Sequence, residues 1–162
     1  MKAIWCVGPL LVLTGTTFNS MIATVPRVTS ENQPVFVPIN SLLSGIARHD
    51  AAAIEESGAP GGLVVYIQDG KPSLMTFGAY ASWLAQPRKV KLEERIHNPV
   101  VRIDNNIASV WSQFEFLADG KVTRCGTVSF SLVREDNVWR IASFVEDGRE
   151  NCQTGISSSP SR

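Results

Sequence analysis

Two carboxylates and two arginines are the side chains in this sequence best suited to proton transfer. Glu94 and Glu115 lie in a region of alternating apolar and polar residues, which also contains Arg102 and Arg124. A carboxylate becomes a useful general base near neutral pH when burial in an apolar cavity raises its pKa. A neighbouring arginine lowers that pKa and makes the carboxylate a poorer base. Glu94 and Glu115 are therefore weak catalytic candidates, and the sequence leaves open whether any reaction is catalysed.

Other residue types that carry out chemistry lack the required arrangement. His49 follows a predicted helix and His97 stands alone, so neither has Cys or acidic residues at the spacing of a metal site. No serine lies in the G-x-S-x-G sequence of a nucleophile elbow. Gly61-Gly62 follows a predicted helix and is typical of a helix terminator, whereas a phosphate loop precedes its helix. We therefore expect neither a metal nor a cofactor.

Composition bounds the size of the fold and the choice of partner. The chain has 162 residues, of which 44% are hydrophobic, enough for the core of one domain. Lys plus Arg and Asp plus Glu both number 15, so the formal net charge is zero. A nucleic-acid-binding protein needs a basic surface, and this sequence has no cluster of basic residues to provide one. We therefore expect no nucleic-acid partner.

The N-terminal residues have the layout of a secretory signal. Lys2 precedes an apolar stretch at residues 3–13, and Ala23 offers a small residue for cleavage. The apolar stretch is shorter than the roughly 20 residues that cross a bilayer. A retained amphipathic anchor and a different start codon are the alternatives. The predicted organisation of a secreted or periplasmic protein is then a signal peptide at 1–23, a flexible linker at 24–36, one domain at 37–152 and a disordered tail at 153–162.

Predicted helices precede predicted strands within this domain. Pro38 suits the first turn of a helix, and apolar residues follow it at helical spacing. Two short helices are predicted at 51–56 and 77–85. The predicted strands cover residues 63–68, 90–103, 107–117, 121–133 and 138–146, separated by turn sequences such as Asp-Gly. This order predicts an α+β fold, in which a curved antiparallel meander packs on N-terminal helices.

Turn positions predict which side chains share a face of the sheet. Counting outward from Asp119-Gly120 and Asp136-Asn137 places Glu115 opposite Arg124 and Phe130 opposite Ser143. The resulting face is apolar at one end and polar at the other, as in many small-molecule sites. The alternative is a solvated strand end with an ordinary Glu115–Arg124 pair. The predicted pocket residues are Trp111, Gln113, Asn98, Glu115, Arg124, Val128 and Phe130, with Glu94 on the same face.

The opposite face of the predicted sheet is also apolar. Val110, Phe114 and Phe144 point to it, and a sheet that is apolar on both faces needs a second cover. We therefore predict a homodimer through this outer face. The assignment of the first long strand depends on Asn98-Pro99, because a bulge there would exchange His97 for Asn98 in the pocket.

Cys125 and Cys152 are the cysteines that remain after removal of residues 1–23. Two cysteines in an oxidising compartment favour a disulfide. If the last strand continues straight, however, Cys152 lies too far along for the Cα separation of less than about 7 Å that a bridge requires. The bridge then needs a chain that folds back at Gly148, so a disulfide and two free thiols both stay open.

An ordered set of short matches extends along the predicted meander, including Val110-Trp111, Glu115-Phe116, Asp119-Gly120, Cys125-Gly126 and Trp139-Arg140-Ile141. This set resembles the nuclear transport factor 2-like superfamily, which includes SnoaL-like and ketosteroid isomerase-like cone folds. The branch that it resembles most is described as lumazine-binding. The resemblance implies a cone with a pocket between helices and sheet, and dimerisation through the sheet.

Residues and resemblance together predict an exported domain that binds a small apolar or aromatic ligand without catalysis. Trp111 would stack on the ligand, and Gln113 and Asn98 would form hydrogen bonds to it. The alternative is an isomerase, dehydratase or polyketide cyclase-like enzyme that uses Glu94 or Glu115 as general base. A fold shared by enzymes and binding proteins does not decide between these two functions.

Overall fold

Residues 29–152, which the computed structural model describes, form three α-helices and one six-stranded sheet. The predicted signal peptide, the first part of the linker and the predicted tail lie outside these residues. The predicted α+β class, with helices packed on a curved sheet, is confirmed. After a short 3-10 turn at Ser30–Asn32, the elements are α1 (Gln33–Arg48), α2 (Ala51–Ser57), β1 (Gly58–Gln68), β2 (Lys71–Thr76), α3 (Phe77–Leu84), β3 (Leu92–Asp104), β4 (Ile107–Ala118), β5 (Lys121–Glu135) and β6 (Val138–Arg149).

The sheet joins the predicted meander to an N-terminal hairpin. Its strand order is β2-β1-β6-β5-β4-β3, and β1 pairs with β6 in parallel while every other neighbouring pair is antiparallel. The sequence reading predicted the meander but neither β2 nor the pairing of β1 with β6. This pairing is non-local, and local turn sequences carry no information about it.

The helices cover one face of the sheet, called here the concave face. α1 packs on β3 and β6, and α3 packs on β1 and β2. α1 begins at Gln33, inside the predicted linker, because Pro34 occupies its first turn and Val35 extends its buried stripe toward the N-terminus. Pro38, predicted to begin the helix, lies inside it. No helix in residues 29–152 has the length and apolar character needed to span a bilayer.

Each hairpin of the meander contains a register shift, and of these the sequence named only a bulge at Asn98-Pro99, as an alternative to the predicted pairing. The shifts lie between His97 and Val100, between Phe116 and Leu117, and between Ser131 and Leu132. As a result Arg124 pairs with Phe116, and Phe130 pairs with Phe144. The predicted Glu115–Arg124 and Phe130–Ser143 pairs are therefore wrong, because one extra residue moves all later side chains to the other face.

The register shifts exchange the two predicted faces along β4. Val110, Phe114 and Phe144, which were predicted on the outer face, are buried under the helices. Trp111, predicted to line the pocket, is 59% exposed on the opposite, convex face. Part of the core therefore consists of residues that were expected at the dimer interface.

Cys125 and Cys152 form a disulfide, with their Cα atoms 5.8 Å apart. Cys125 pairs in register with Arg149, the last residue of β6. The chain then turns back, since the Cys152 amide donates to the Glu150 carbonyl over 2.9 Å. The reversal comes just after Arg149, and this brings the second thiol within the reach that a straight strand would not allow.

We expect the disulfide to stabilise the fold by roughly 3 kcal/mol, because the bridge closes a loop over a sequence separation of 27. The double substitution Cys125→Ser and Cys152→Ser should lower the urea midpoint of unfolding accordingly. Addition of a dithiol reductant to the native chain should cause the same loss and should leave the variant unchanged. Identical midpoints for the native chain and the variant would contradict the expectation.

Candidate active site

Two carboxyl side chains are buried on the concave face. Glu94 on β3 is 6% exposed and Glu146 on β6 is 1% exposed, and within residues 29–152 no other acidic residue is buried. Acidic side chains are seldom fully buried without a partner, because the loss of hydration penalises the charged form. Their burial is a cost to the fold that a functional site would explain.

Register shifts place both carboxyls in the core. The shift in β3 lies at Asn98, whose φ of 51° is in the left-handed region that asparagine tolerates better than most residues. It allows Glu94 and Val101 to face the same side although they are separated by an odd number of positions. The shift between Ser131 and Leu132 turns Glu146 inward in the same way, opposite Val128.

Two tyrosines complete the cluster. Tyr66 on β1 is the register partner of Glu146, and Tyr80 on α3 is fully buried, with the two ring centroids 5.8 Å apart. Thr76 caps α3 by accepting a hydrogen bond from the Ala79 amide over 3.2 Å, which places Tyr80 one turn into the helix and facing the sheet. The Tyr80 hydroxyl is directed at the Tyr66 hydroxyl, and this contact raises the pKa of Tyr80 and lowers that of Tyr66.

Arg124 on β5 supplies the positive charge of the cluster. Its Nη2 lies 3.0 Å from Oε1 of Glu146, and its guanidinium lies over the Tyr66 ring, 5.4 Å from the ring centroid. Both carboxyl oxygens of Glu146 lack an aligned hydrogen-bond donor, so the pair is an ionic contact without hydrogen-bond geometry. A Cβ at Gly148 would lie 2.5 Å from Nη2 of Arg124, and only glycine leaves room for the guanidinium there.

Burial raises the pKa values of all four acidic groups. Desolvation raises the pKa of Glu146 to about 7, although the Arg124 charge lowers it. Desolvation raises the pKa of Glu94 well above its usual range, and the negative charge of Glu146 adds to this effect. Desolvation is also the largest cause of the raised pKa values of Tyr66 and Tyr80. The charges of the neighbouring acidic groups raise both values further. Burial therefore favours the protonated form of Glu94 and of both phenols, and Glu146 has a pKa near neutrality.

A surface depression of about 480 Å³ lies beside the cluster and is partly lined by Arg124. The β1–β2 turn and the end of β6, including Gly148, form its other walls. The Arg124 side chain is 31% exposed, so one guanidinium contacts buried Glu146 and also lines open space. Arg124 therefore separates the carboxyls from the depression.

The structure separates the residues predicted to form the pocket. Glu94, Val128 and Phe130 are buried on the concave face, and Arg124 points to the same side. Glu115 lies on the convex face, where its Oε2 is 3.2 Å from Nε2 of His97. The remaining predicted pocket residues, Trp111, Gln113 and Asn98, are exposed outside the cluster, so their predicted placement in the pocket is wrong.

Sequence reasoning missed three members of the cluster: Glu146, Tyr66 and Tyr80. A straight count from the Asp136-Asn137 turn points Val145 inward and Glu146 outward, and the register shift reverses this. Tyr66 and Tyr80 stand in apolar segments, where a tyrosine is indistinguishable from an ordinary core residue. Their membership of the cluster becomes visible only when the pairing of β1 with β6 is known, because this pairing makes Tyr66 the register partner of Glu146.

Solved structures share this fold at low sequence identity. A protein of unknown function from Mycobacterium tuberculosis is 18% identical, with a TM-score of 0.62 over 76% of this chain and 73% of that chain. A nuclear transport factor 2-like protein with a cystatin-like fold from Novosphingobium aromaticivorans is 11% identical, with a TM-score of 0.63 over 75% and 83%. A nuclear transport factor 2-like protein from Streptomyces avermitilis, described as a candidate dehydratase, is 14% identical, with a TM-score of 0.58 over 72% and 94%.

The chain therefore has the nuclear transport factor 2-like fold, and the resemblance seen in its sequence is confirmed at this level. No protein-family model matches the sequence, and no curated protein matches it significantly. The lumazine-binding branch stays a prediction. Identities this low carry the fold and not the function.

The raised pKa of Glu146 predicts that its contribution to stability falls as pH rises. The folded state keeps this proton up to a pKa of about 7, whereas the unfolded chain loses it near 4.5. Stability is thus highest below about pH 4.5 and declines through about pH 7, by on the order of 3 kcal/mol for this group. Glu146→Gln should reduce the fall of stability with pH, which urea unfolding across that window measures. Part of the fall should remain, because Glu94 also has a raised pKa. Glu115→Gln, outside the cluster, is the matched control; equal slopes in both variants would contradict the assignment.

Proposed function

We propose that this protein binds a small organic molecule at the concave face and transfers a proton on it, in an isomerase- or dehydratase-type reaction. The observation that carries the proposal is the burial of both Glu94 and Glu146, because desolvation raises the pKa of each carboxyl and the charge of Glu146 raises that of Glu94 further. Two acidic groups with separated pKa values can divide the roles of acid and base. This function replaces non-catalytic binding, the preferred prediction from sequence, because that prediction rested on the apparent lack of an acid–base pair.

Glu146 is the proposed general base. Its pKa of about 7 keeps a large fraction ionised at neutral pH and makes the carboxylate more basic than an exposed one. Its carboxylate would accept a proton from a carbon next to a carbonyl group. Within residues 29–152 neither of its oxygens has an aligned hydrogen-bond donor, so no hydrogen bond has to break before the proton is received.

Tyr80 and Glu94 are the proposed donors to the oxygen that gains negative charge. The Tyr80 hydroxyl is fully buried beside Tyr66, and burial raises its pKa and keeps it protonated. Burial and the negative charge of Glu146 raise the pKa of Glu94, which favours the protonated form that can donate from β3. Buried donors directed at a developing enolate stabilise it more than water does. The proton on Glu146 then returns to a different carbon, or leaves with a departing hydroxyl group as water.

Ligand binding without chemistry is the second candidate. The Glu146 oxygens favour it, because they lack an aligned hydrogen-bond donor within residues 29–152 and a bound polar group would supply one whether or not a reaction follows. Substitution of Glu146 separates the two functions, since a binding protein has no rate to lose.

The catalytic proposal predicts that Glu146→Gln lowers by at least about 100-fold the rate of deuterium uptake from D2O next to the carbonyl of cyclic ketones. Tyr80→Phe should lower the same rate by about 100-fold, since it removes one donor to the enolate. In the native chain the rate should rise with pH through about 7 as Glu146 ionises. Mass spectrometry of the ketones measures each rate.

Glu115→Gln is the matched control, because it makes the same chemical change on the convex face. It should retain the native rate, and circular dichroism should show that all three variants are folded. A native rate in Glu146→Gln would exclude this residue as the base.

We also propose a homodimer through the convex face, formed by different residues from those predicted. A mainly apolar band crosses the sheet there, in which each residue is the register partner of the next and β5 alone contributes a polar residue. Trp111 and Leu74 are its most exposed members, at 59% and 63%. A continuous exposed band of this kind is unusual on a monomer. Its members are Val100, Trp111, Ser129, Val145, Val65 and Leu74.

Trp111→Glu should convert the dimer to a monomer, since it places a charge within the band on each subunit. Light scattering after size exclusion measures the molar mass. Val37→Glu, on an exposed position of α1, is the control and should stay dimeric. A native chain that elutes as a monomer would refute the interface.

Export through a signal peptide at residues 1–23 stays a proposal as well. The Cys125–Cys152 disulfide favours it, because such bonds persist in oxidising compartments. The intact mass of the chain recovered from outside the cytoplasm checks for cleavage after Ala23.

A further inference from the structure

The Arg124 side chain touches two environments that the rest of the structure keeps apart. On one side it contacts Glu146 and the face of Tyr66, and on the other it lines the open depression. A molecule that approaches the cluster from the depression therefore meets this guanidinium before it meets either carboxyl. Gly148 leaves the space in which the guanidinium lies.

The Arg124–Glu146 contact leaves both partners incompletely satisfied. A guanidinium has five N–H donors, yet within residues 29–152 Arg124 forms one ionic contact and no hydrogen bond of acceptable geometry. Arginine binds carboxylates best through two parallel hydrogen bonds, and Glu146 does not provide them. A planar anion in the depression can accept both bonds without entering the core.

We propose that the natural ligand carries a single carboxylate group and that Arg124 determines this specificity by exchanging its contact with Glu146 for one with the ligand. The proposal rests on the proposed use of the concave cluster as the ligand site, and it adds the chemical class of the ligand. It also gives Arg124 a second role, because binding of the acid removes the counter-charge from the base.

The rim of the depression favours one negative charge over several. Asp69, Asp147 and Glu150 line it together with Arg149, so acidic groups outnumber the basic one around Arg124. A polyanion such as a phosphate ester would meet repulsion from these three acids. A monocarboxylate can place its charge on Arg124 and leave its uncharged part in the open depression.

Exchange of the Arg124 contact links ligand binding to proton uptake. The groups that face Glu146 are Arg124 from β5, Tyr66 from β1, Glu94 from β3 and Tyr80 from α3, and only Arg124 lowers its pKa. When the guanidinium turns to the ligand, the pKa of Glu146 rises above about 7. Near neutral pH the protein must then take up part of a proton for each acid bound.

Calorimetric titration of the full chain at about pH 7, in Hepes and in Tris, tests both the preference for a carboxylate and the uptake of a proton. The probes are cyclohexanecarboxylate, its neutral amide and inorganic phosphate. We expect the carboxylate to bind at least about tenfold more tightly than the amide or phosphate, with heats that differ between the two buffers because a proton is taken up. Equal binding of acid and amide, equal heats in the two buffers, or no binding of the acid would overturn the proposal.

Variants assign the effect to Arg124. Arg124→Gln should weaken acid binding at least about tenfold, while Arg149→Gln, on the rim, should not. Glu146→Gln should bind the acid more tightly and without proton uptake, because the ligand no longer competes for Arg124. Arg124→Gln combined with Glu146→Gln guards against misfolding around an unpaired carboxylate, and it should not bind the acid.

The deuterium-uptake experiment separates failure of this inference from failure of the proposed function. Acid binding with these signatures, but without deuterium uptake, would leave Arg124 as the specificity residue of a binding protein. Glu146-dependent deuterium uptake without Arg124-dependent acid binding would refute the inference alone.

Discussion

Contact between the Arg124 guanidinium and the buried Glu146 carboxyl is the interaction on which the cluster depends. A carboxyl that is 1% exposed loses nearly all of its hydration, and one ionic contact at 3.0 Å offsets only part of this loss. The part of the hydration loss that is not offset raises the pKa of Glu146 from 4.5 to about 7. The protein thus keeps within its core a group that gains or loses a proton under ordinary conditions.

This interaction is held in place by features at the end of the sheet. Gly148 leaves room for the guanidinium, and the Tyr66 ring packs beneath it. The Cys125–Cys152 disulfide joins the residue after Arg124 to the segment that follows β6, and this segment forms one wall of the depression. The covalent bridge therefore restrains the strand that carries the arginine together with the opening that the arginine faces.

Register shifts decide which residues take part. Every hairpin of the meander contains one, and each reverses the alternation of inward and outward side chains beyond it. Without them Trp111 and Glu115 would face the helices, and Phe144 and Glu146 would face outward. Bulges of this kind are common next to functional sites, because they reorient side chains without a change of strand order.

Local patterns in the sequence determined the α+β class, the helices packed on a meander and most strand boundaries, since hydrophobic periodicity and turn residues are local signals. They also identified Glu94 as a concave-face carboxylate. Only the tertiary structure decided the faces of β4, because a single bulge residue reverses a strand and the two faces here are similarly apolar. It also decided the cluster itself: Tyr66 meets Glu146 through the parallel pairing of β1 with β6, and residues so far apart in sequence share no local pattern.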